Sequence, residues 1–460
     1  MTRCLLAALA LAATAGITGA GFSRPGQAGG PPVSFERRVV ATGLDHPWEI
    51  TWGPDGHLWV SERTGKRVTR VNPADGTKAV VVSIPEAYQR VTQDGVLGLA
   101  LHPGLLRGTG EDFVYLAYTY DAGNGPRLKL RRFTYDAGAG ALGSPVDVIA
   151  GLPAHDDHVA GRLVFGPDAK LYLTIGDQGS NFLQNYCTPN RAQELPSAAE
   201  VRAADWTKYQ GKVLRLNLDG SIPEDNPFID GVRSHIYSYG HRNPQGLAFG
   251  RGGALYASEH GPSTDDEVNL VQAGKNYGWP HVAGHRDDQV YVYTNWSASS
   301  PEPCASFEFS QTVVPTSIPR QMESAWRHPD FVPPIQTFFT VPSDYDFRAQ
   351  GGATIAPSSI EVFAARQNGI PGWADSLLVP GMIKSRVYRL ELSADGRSVA
   401  GPPAEVFRTT NRYRDLAIDP DGRTIYVATD NDGRAMGPTG EMTQALENPG
   451  AILAFTYESE

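Results

Sequence analysis

Asp157 and His158 stand side by side ahead of an apolar run at 163–165, and Asp177 follows the next run at 171–175. Between the two runs, Gly166-Pro167-Asp168-Ala169 has the chemistry of a turn. A hairpin of this length returns to the level it left, which sets Asp177 near His158. An imidazole with carboxylates on two sides can take a proton from a substrate while one acid orients the ring. The plainer alternative is a surface hairpin whose charged ends face water, and the stretch alone does not decide between them.

Polar residues gather in the same way ahead of other apolar runs. Asp45-His46 precedes one, Gln93-Asp94 a second, His241-Arg242-Asn243 a third, and Arg412-Tyr413-Arg414-Asp415 a fourth, while residues 352–357 lead into a fifth. A separate acidic cluster holds Asp265, Asp266 and Glu267 in a Gly/Pro-bounded loop, with Asp287 and Asp288 further on. Carboxylates and loop carbonyls are the hard oxygen ligands that calcium requires. A solvated acidic loop explains the same residues equally well.

The elements that must position these groups repeat. A turn rich in Gly, Pro or Asp feeds an alternating β run at 53–62, 102–119, 166–177, 250–259, 368–381 and 419–430. A further alternating run follows each copy, at 67–72, 128–135, 213–218, 268–271, 386–392 and 451–457. With the apolar run ahead of each turn, this predicts an all-β chain folded as a six-bladed β-propeller of four-stranded antiparallel blades. A pair of β-sandwiches is the other architecture such strands could build. Uneven spacing puts insertions between blades, the largest within 178–210 and 288–346.

In a propeller the innermost strands all start at one end of the central channel. Gln93, Asp157, His158, Arg242, Asn243, Arg412 and Arg414 would therefore meet on the axis. Three arginines at one channel mouth repel one another unless an anion joins them, and the guanidinium fork suits planar carboxylates. A small polyanionic ligand is implied, with Asp157 and His158 beside it.

The 460 residues are 41% hydrophobic and 20% charged, ordinary for a globular chain, while 50 Gly and 35 Pro fit a turn-rich fold. A net charge of −10 without any Lys/Arg tract argues against nucleic-acid binding. Residues 1–20 read as a secretory signal cleaved near Ala20, 21–34 as a flexible lead-in, and 35–460 as the propeller. The product would be periplasmic or secreted, with no membrane span after cleavage. It would keep only Cys187 and Cys304, whose pairing the sequence leaves open.

The segments GLPAHDDHVAGRLVFGPD, LTIGDQG, GKVLRLNLDGSIPEDNPF, GHRNPQGLAF, SEHGPSTDDEVNL, NYGWPHVAG and LENPG, with 410–415, resemble the soluble PQQ-dependent glucose and aldose sugar dehydrogenases. The similarity runs from about Phe35 to Tyr457. It implies a six-bladed propeller that oxidises D-glucose or a related aldose at C1 to the lactone, with PQQ and calcium as cofactors. His158 would be the base, Asp177 its orienting partner, and Gln93 and Asp157 the sugar-binding pair. Arg242 and Asn243 would contact the quinone oxygen, Arg412 and Arg414 the PQQ carboxylates, and Thr354 would lie beside the cofactor. The carbonyls of Gly261 and Pro262 would hold the catalytic calcium. Glu267, Tyr277, Ala283, His285, Asp287 and Glu323 match a structural calcium site linked in the family to homodimer formation. Electrons would leave on a diffusible acceptor, since the chain has no CxxCH haem motif.

The chain also departs from the family. The family's PQQ-binding lysine falls on Ile383, and Lys384 stands one residue late, which turns a strand side chain to the other face unless a bulge restores it. Residues 343–352 form a shorter loop without the family's tyrosine, Phe182 stands where a sugar-contacting glutamine is expected, and His285 replaces a tyrosine whose backbone carbonyl is the ligand. Two other functions suit a propeller of this kind. A calcium-dependent lactonase would not need three cations around a tricarboxylate, and a non-catalytic binding propeller would show no dependence on PQQ.

Overall fold

A computed structural model describes residues 33–459 apart from Val91, Thr92, Thr312, Gln367 and Pro438. The leader assigned to 1–20 and the lead-in up to Pro32 lie outside the described residues, while Ser34 already belongs to a strand. No helix among the described residues is long and apolar enough to cross a membrane.

Six four-stranded antiparallel sheets follow one another along the chain, as the repeat predicts. Their innermost strands are Pro47–Trp52, Val96–Leu101, Ala160–Phe165, Pro244–Phe249, Glu361–Phe363 and Tyr413–Ile418, and each packs beside the next around a ring. The sixth blade takes its outermost strand, Ser34–Ala41, from the start of the described residues, where it pairs with Ile452–Glu458. That pairing closes the ring with hydrogen bonds between the two ends of the fold.

Each pair of neighbouring blades shares one apolar cluster, six in all. A middle strand is therefore covered on both faces. Leu171–Ile175 is buried along its whole length, although its sequence alternates only weakly. Five of the six innermost strands shift register near their first residues, at Pro47/Glu49, Val96/Leu99, Ala160/Leu163, Pro244/Gly246 and Tyr413/Asp415. A bulge there bends the strand and re-aims the side chains ahead of it toward the axis.

Arg162 locks the blades together across the channel. Its guanidinium pairs with Asp415 of the sixth blade at 3.1 Å and Glu49 of the first at 3.3 Å, and lies 4.4 Å over the Trp48 ring. It also donates to the carbonyls of Gln245 (2.8 Å) and Ser358 (3.2 Å), while Glu49 accepts from the Leu99 N–H (2.8 Å). One arginine of the third blade thus reaches, directly or through Glu49, all the others. Burial raises Glu49 above the ordinary carboxylate range, against the opposing pull of Arg162.

The two large insertions interrupt blades rather than separate them, contrary to the sequence expectation. Residues 178–210 lie between the second and third strands of blade three, Leu171–Ile175 and Lys212–Leu216. Residues 288–335 lie between Asp266–Val271 and Gln336–Phe338 of blade four. A disulfide joins Cys187 to Cys304 and so fastens one insertion to the other. Asn181 adds to the fastening by donating to the Thr294 carbonyl and accepting from the Trp296 N–H, both at 2.8 Å.

Candidate active site

The hairpin from His158 to Asp177 ends with its two ends together. Gly176 permits this, because a Cβ at that position would come within 2.0 Å of the His158 carbonyl oxygen. His158 has φ +46°, a left-handed conformation unusual for a side-chain-bearing residue and of a kind that clusters at functional sites. Its Nδ1 lies 2.6 Å from Asp177 Oδ1. Since the carboxylate only accepts, Nδ1 carries the proton and Nε2 presents its lone pair.

Asp177 is fully buried, and every partner of its carboxylate is a donor. Besides His158 it accepts from the Gly179 N–H (2.9 Å), Asn190 Nδ2 (2.9 Å) and Trp279 Nε1 (2.7 Å). Four donors hold the carboxylate in place, so the imidazole orientation follows from it. Gln93 binds Asp157 through its amide nitrogen and accepts from the His158 N–H at 3.1 Å and from Asn243 Nδ2 at 3.3 Å.

His158, Asp157 and Gln93 line one side of a cavity of about 430 Å³ at the channel mouth. Arg242, Gly261, Thr354, Arg412 and Arg414 line the rest, along with Arg63, His260 and Asp430. The volume is in the range of small-molecule sites. Arg242 is held by its backbone N–H on Glu259 (2.8 Å) and by its guanidinium on the His260 carbonyl (3.2 Å), with Phe182 and Trp279 rings 5.1 and 5.3 Å away. Arg412 and Arg414 both face Asp430, at 3.8 and 3.6 Å. Burial, reinforced by neighbouring guanidinium groups, pulls Arg414 down to about 10.

Not every expected residue reaches the cavity. Asn243 is buried beneath it and links Gln93 to Gln245, which in turn accepts from Arg414 at 3.3 Å. Pro262 lines a neighbouring aromatic pocket that shares Phe182 with this cavity. Ile383 lines the cavity, whereas the Lys384 ammonium lies 4.8 Å over the Phe339 ring outside the lining set.

The acidic segment expected to be a loop is partly strand. Asp266 and Glu267 begin Asp266–Val271, and Asp266 is buried on the N–H groups of Gly261, Ile355 and Ala356 and the Thr354 hydroxyl. Glu267 accepts from the Gly284 N–H (2.6 Å), and Glu323 from the Ala283 N–H (2.9 Å). Burial first, then Asp287 and Asp265, push Glu323 up to about 8. Tyr277 stacks on His241 at 4.6 Å, and His285 and Asp287 lie in the turn beside Ala283. Among the described residues no three His, Cys, Asp or Glu side chains adopt a ready metal-ligand arrangement.

Arg63, His260, Asp430 and Trp279 were not singled out from the sequence. His260 lies in the quoted SEHGP motif and Trp279 in NYGWP, but their contacts come from distant parts of the chain. Burial and the positive charge of Arg242 hold the His260 imidazole well below its ordinary value, hence neutral.

The chain matches the Glucose / Sorbosone dehydrogenase family over residues 44–319 and 344–437. It belongs to that family. It is 40% identical over 442 residues to quinoprotein glucose dehydrogenase B of Acinetobacter calcoaceticus, covering 93% of this chain and 92% of the relative. It is 32% identical over 257 residues to an aldose sugar dehydrogenase of Escherichia coli K12, covering 54% of this chain and 62% of that one. The PQQ-bound aldose sugar dehydrogenase of Streptomyces coelicolor superposes with a TM-score of 0.63 at 26% identity, covering 93% of this chain and all of that one.

Proposed function

We propose that this protein is an exported quinoprotein that oxidises D-glucose or a related aldose at C1 to the lactone and passes the electrons to a diffusible acceptor. The observation that carries the reading is the imidazole of His158, locked through Nδ1 by Asp177 and facing a cavity whose other wall is a cluster of arginines. A lactonase would not need that cluster.

The cavity suits a planar tricarboxylate. Arg242 Nε, Arg412 Nε and His260 Nε2 are buried without a hydrogen-bond partner among the described residues, and all three residues line it. Arg412 and Arg414 would hold PQQ carboxylates, Arg242 a quinone oxygen, and Thr354 the edge beside them. PQQ, when bound, supplies the acceptor for the hydride from C1. His158 Nε2 takes the proton of the anomeric hydroxyl, and Asp177 stabilises the resulting imidazolium. Asp157 and Gln93 orient the sugar through its remaining hydroxyls. Asn243 braces Gln93 from below.

Calcium fits two places. The Gly261 and Pro262 carbonyls would hold a calcium that supplies a Lewis acid, although Pro262 lines the neighbouring pocket and its carbonyl accepts from Gln311 at 3.3 Å. Glu267, Asp287 and Glu323, with the carbonyls of Tyr277, Ala283 and His285, are the residues that would hold a second calcium, although their side chains do not form a ready ligand group. A homodimer is part of this reading.

Dye reduction by the purified protein over a panel of aldoses, with and without PQQ and calcium, tests the proposal. Sugar-dependent turnover that requires PQQ is expected, and turnover independent of PQQ, or none at all, would overturn it.

A further inference from the structure

The cofactor end of the cavity lacks a cation where the family resemblance places one. Ile383 faces the cavity, and the Lys384 ammonium rests over Phe339. Blade five therefore contributes an apolar side chain where a positive charge is expected. On the other side of Arg412 and Arg414, blade one contributes a guanidinium that no motif indicated.

Arg63 follows the strand Leu58–Glu62 and is 5% exposed, yet it lines the cavity. Its backbone is fixed at both ends, its N–H donating to the His46 carbonyl (2.9 Å) and its carbonyl accepting from Val96 (3.2 Å). Gly95 makes that close approach possible, since a Cβ there would lie 2.4 Å from the Arg63 carbonyl oxygen. The side chain reaches the Asp94 carbonyl at 3.5 Å and shares the field of Asp430 with Arg412 and Arg414. Asp432 acts on Arg63 too, but its side chain is 79% exposed and is engaged by His46. Three buried guanidinium groups, those of Arg63, Arg412 and Arg414, gather around Asp430, with Asp94 and Asp432 also facing Arg63.

We propose that Arg63 is a cofactor-binding residue that engages a carboxylate of the tricarboxylate ligand, supplying from blade one the charge that blade five does not. This rests on the PQQ reading above. The guanidinium can keep its contact with Asp94 and still present donors to the cavity, because it carries five N–H groups in a fork.

The test is PQQ affinity of the apo protein in calcium-containing buffer, read by quenching of tryptophan fluorescence and checked by equilibrium dialysis. Arg63→Gln is expected to weaken PQQ binding about 10- to 100-fold, the range for losing a charge-assisted contact. Adding Ile383→Lys to Arg63→Gln is expected to recover affinity, which a purely structural role for Arg63 would not allow. Should Arg63→Gln fail to fold, Arg63→Lys keeps the charge and loses the fork, with about three- to tenfold weaker binding expected. Affinity of Arg63→Gln within twofold of wild type, or a loss that Ile383→Lys leaves unchanged, overturns the assignment alone. Absence of PQQ binding by the wild-type protein overturns the cofactor reading and this assignment with it.

Discussion

Replacing Asp177 by Asn separates the orientation of His158 from every other feature of the site. All four partners of the carboxylate are donors: His158 Nδ1–H and the Gly179 N–H on Oδ1, Trp279 Nε1–H and Asn190 on Oδ2. An amide offers one oxygen and one NH₂ group, so one of the two pairs must face hydrogens. The Trp279 indole N–H cannot become an acceptor, but the imidazole can, by moving its proton to Nε2. The variant is therefore expected to place its NH₂ against His158 Nδ1, which removes the lone pair from the cavity. General-base catalysis is worth about 10²–10⁴ in rate, so kcat should fall by that factor. PQQ affinity should change less than threefold, because Asp177 does not line the cavity. The Gly179 N–H loses its acceptor, at about 1–3 kcal/mol in stability. Steady-state dye reduction with the PQQ-loaded variant, beside a PQQ titration and a thermal melt, gives all three numbers. A kcat within threefold of wild type, or a loss explained wholly by lost PQQ, would refute the reasoning.

Phe182→Ala removes an aromatic face 5.1 Å from the Arg242 guanidinium, a contact worth about 0.5–2 kcal/mol. KM for the sugar is expected to rise about three- to tenfold with kcat little changed, and an unchanged KM would count against Phe182 as part of the sugar wall. Arg162→Met leaves Glu49 and Asp415 without their shared cation, and a loss of about 3–5 kcal/mol is expected in urea unfolding, against none if the ring closes without the lock. Burial pushes Glu361 up to about 7, so its contribution is fully present below about pH 4.5 and is lost as pH rises through 7. Glu361→Gln should thus match wild type at pH 5 and exceed it by about 1–3 kcal/mol at pH 8.5. A difference that does not vary with pH would rule out Glu361 as the titrating group.

The six repeats were legible because turn chemistry and two-residue alternation are local signals, and the convergence of Gln93, Asp157, His158 and the arginines follows from propeller geometry once the repeats are placed. Ring closure was not legible. Ser34–Ala41 reads only as the first strand of the chain, and its partner Ile452–Glu458 is set by tertiary packing. Trp279 binds Asp177 across 102 residues, and no local pattern marks such a pair. Arg63 sits in a charged hairpin end, SERTGK, that looks like a solvated turn; only its packing against the entry to blade two and against blade six buries it. Ile383 and Lys384 lie in the turn 382–385 between two strands, so strand alternation does not set their directions, and Ile383 lines the cavity while the Lys384 ammonium lies over Phe339. The acidic segment expected as a loop begins a strand, and Asp266 there accepts from the Thr354 hydroxyl and the Ile355 and Ala356 N–H groups, which the sequence places 88 to 90 residues away.

Anaerobic single-turnover reduction of bound PQQ tests the central claim most directly. Wild-type protein loaded with PQQ and calcium is mixed with an aldose, with ¹H or ²H at C1, and the cofactor absorbance is followed. Rapid reduction with a primary isotope effect is expected for wild type, and reduction slower by about 10²–10⁴ for His158→Ala at equal PQQ occupancy. Equal rates in the two proteins, or no reduction by any aldose while PQQ stays bound, would contradict the account.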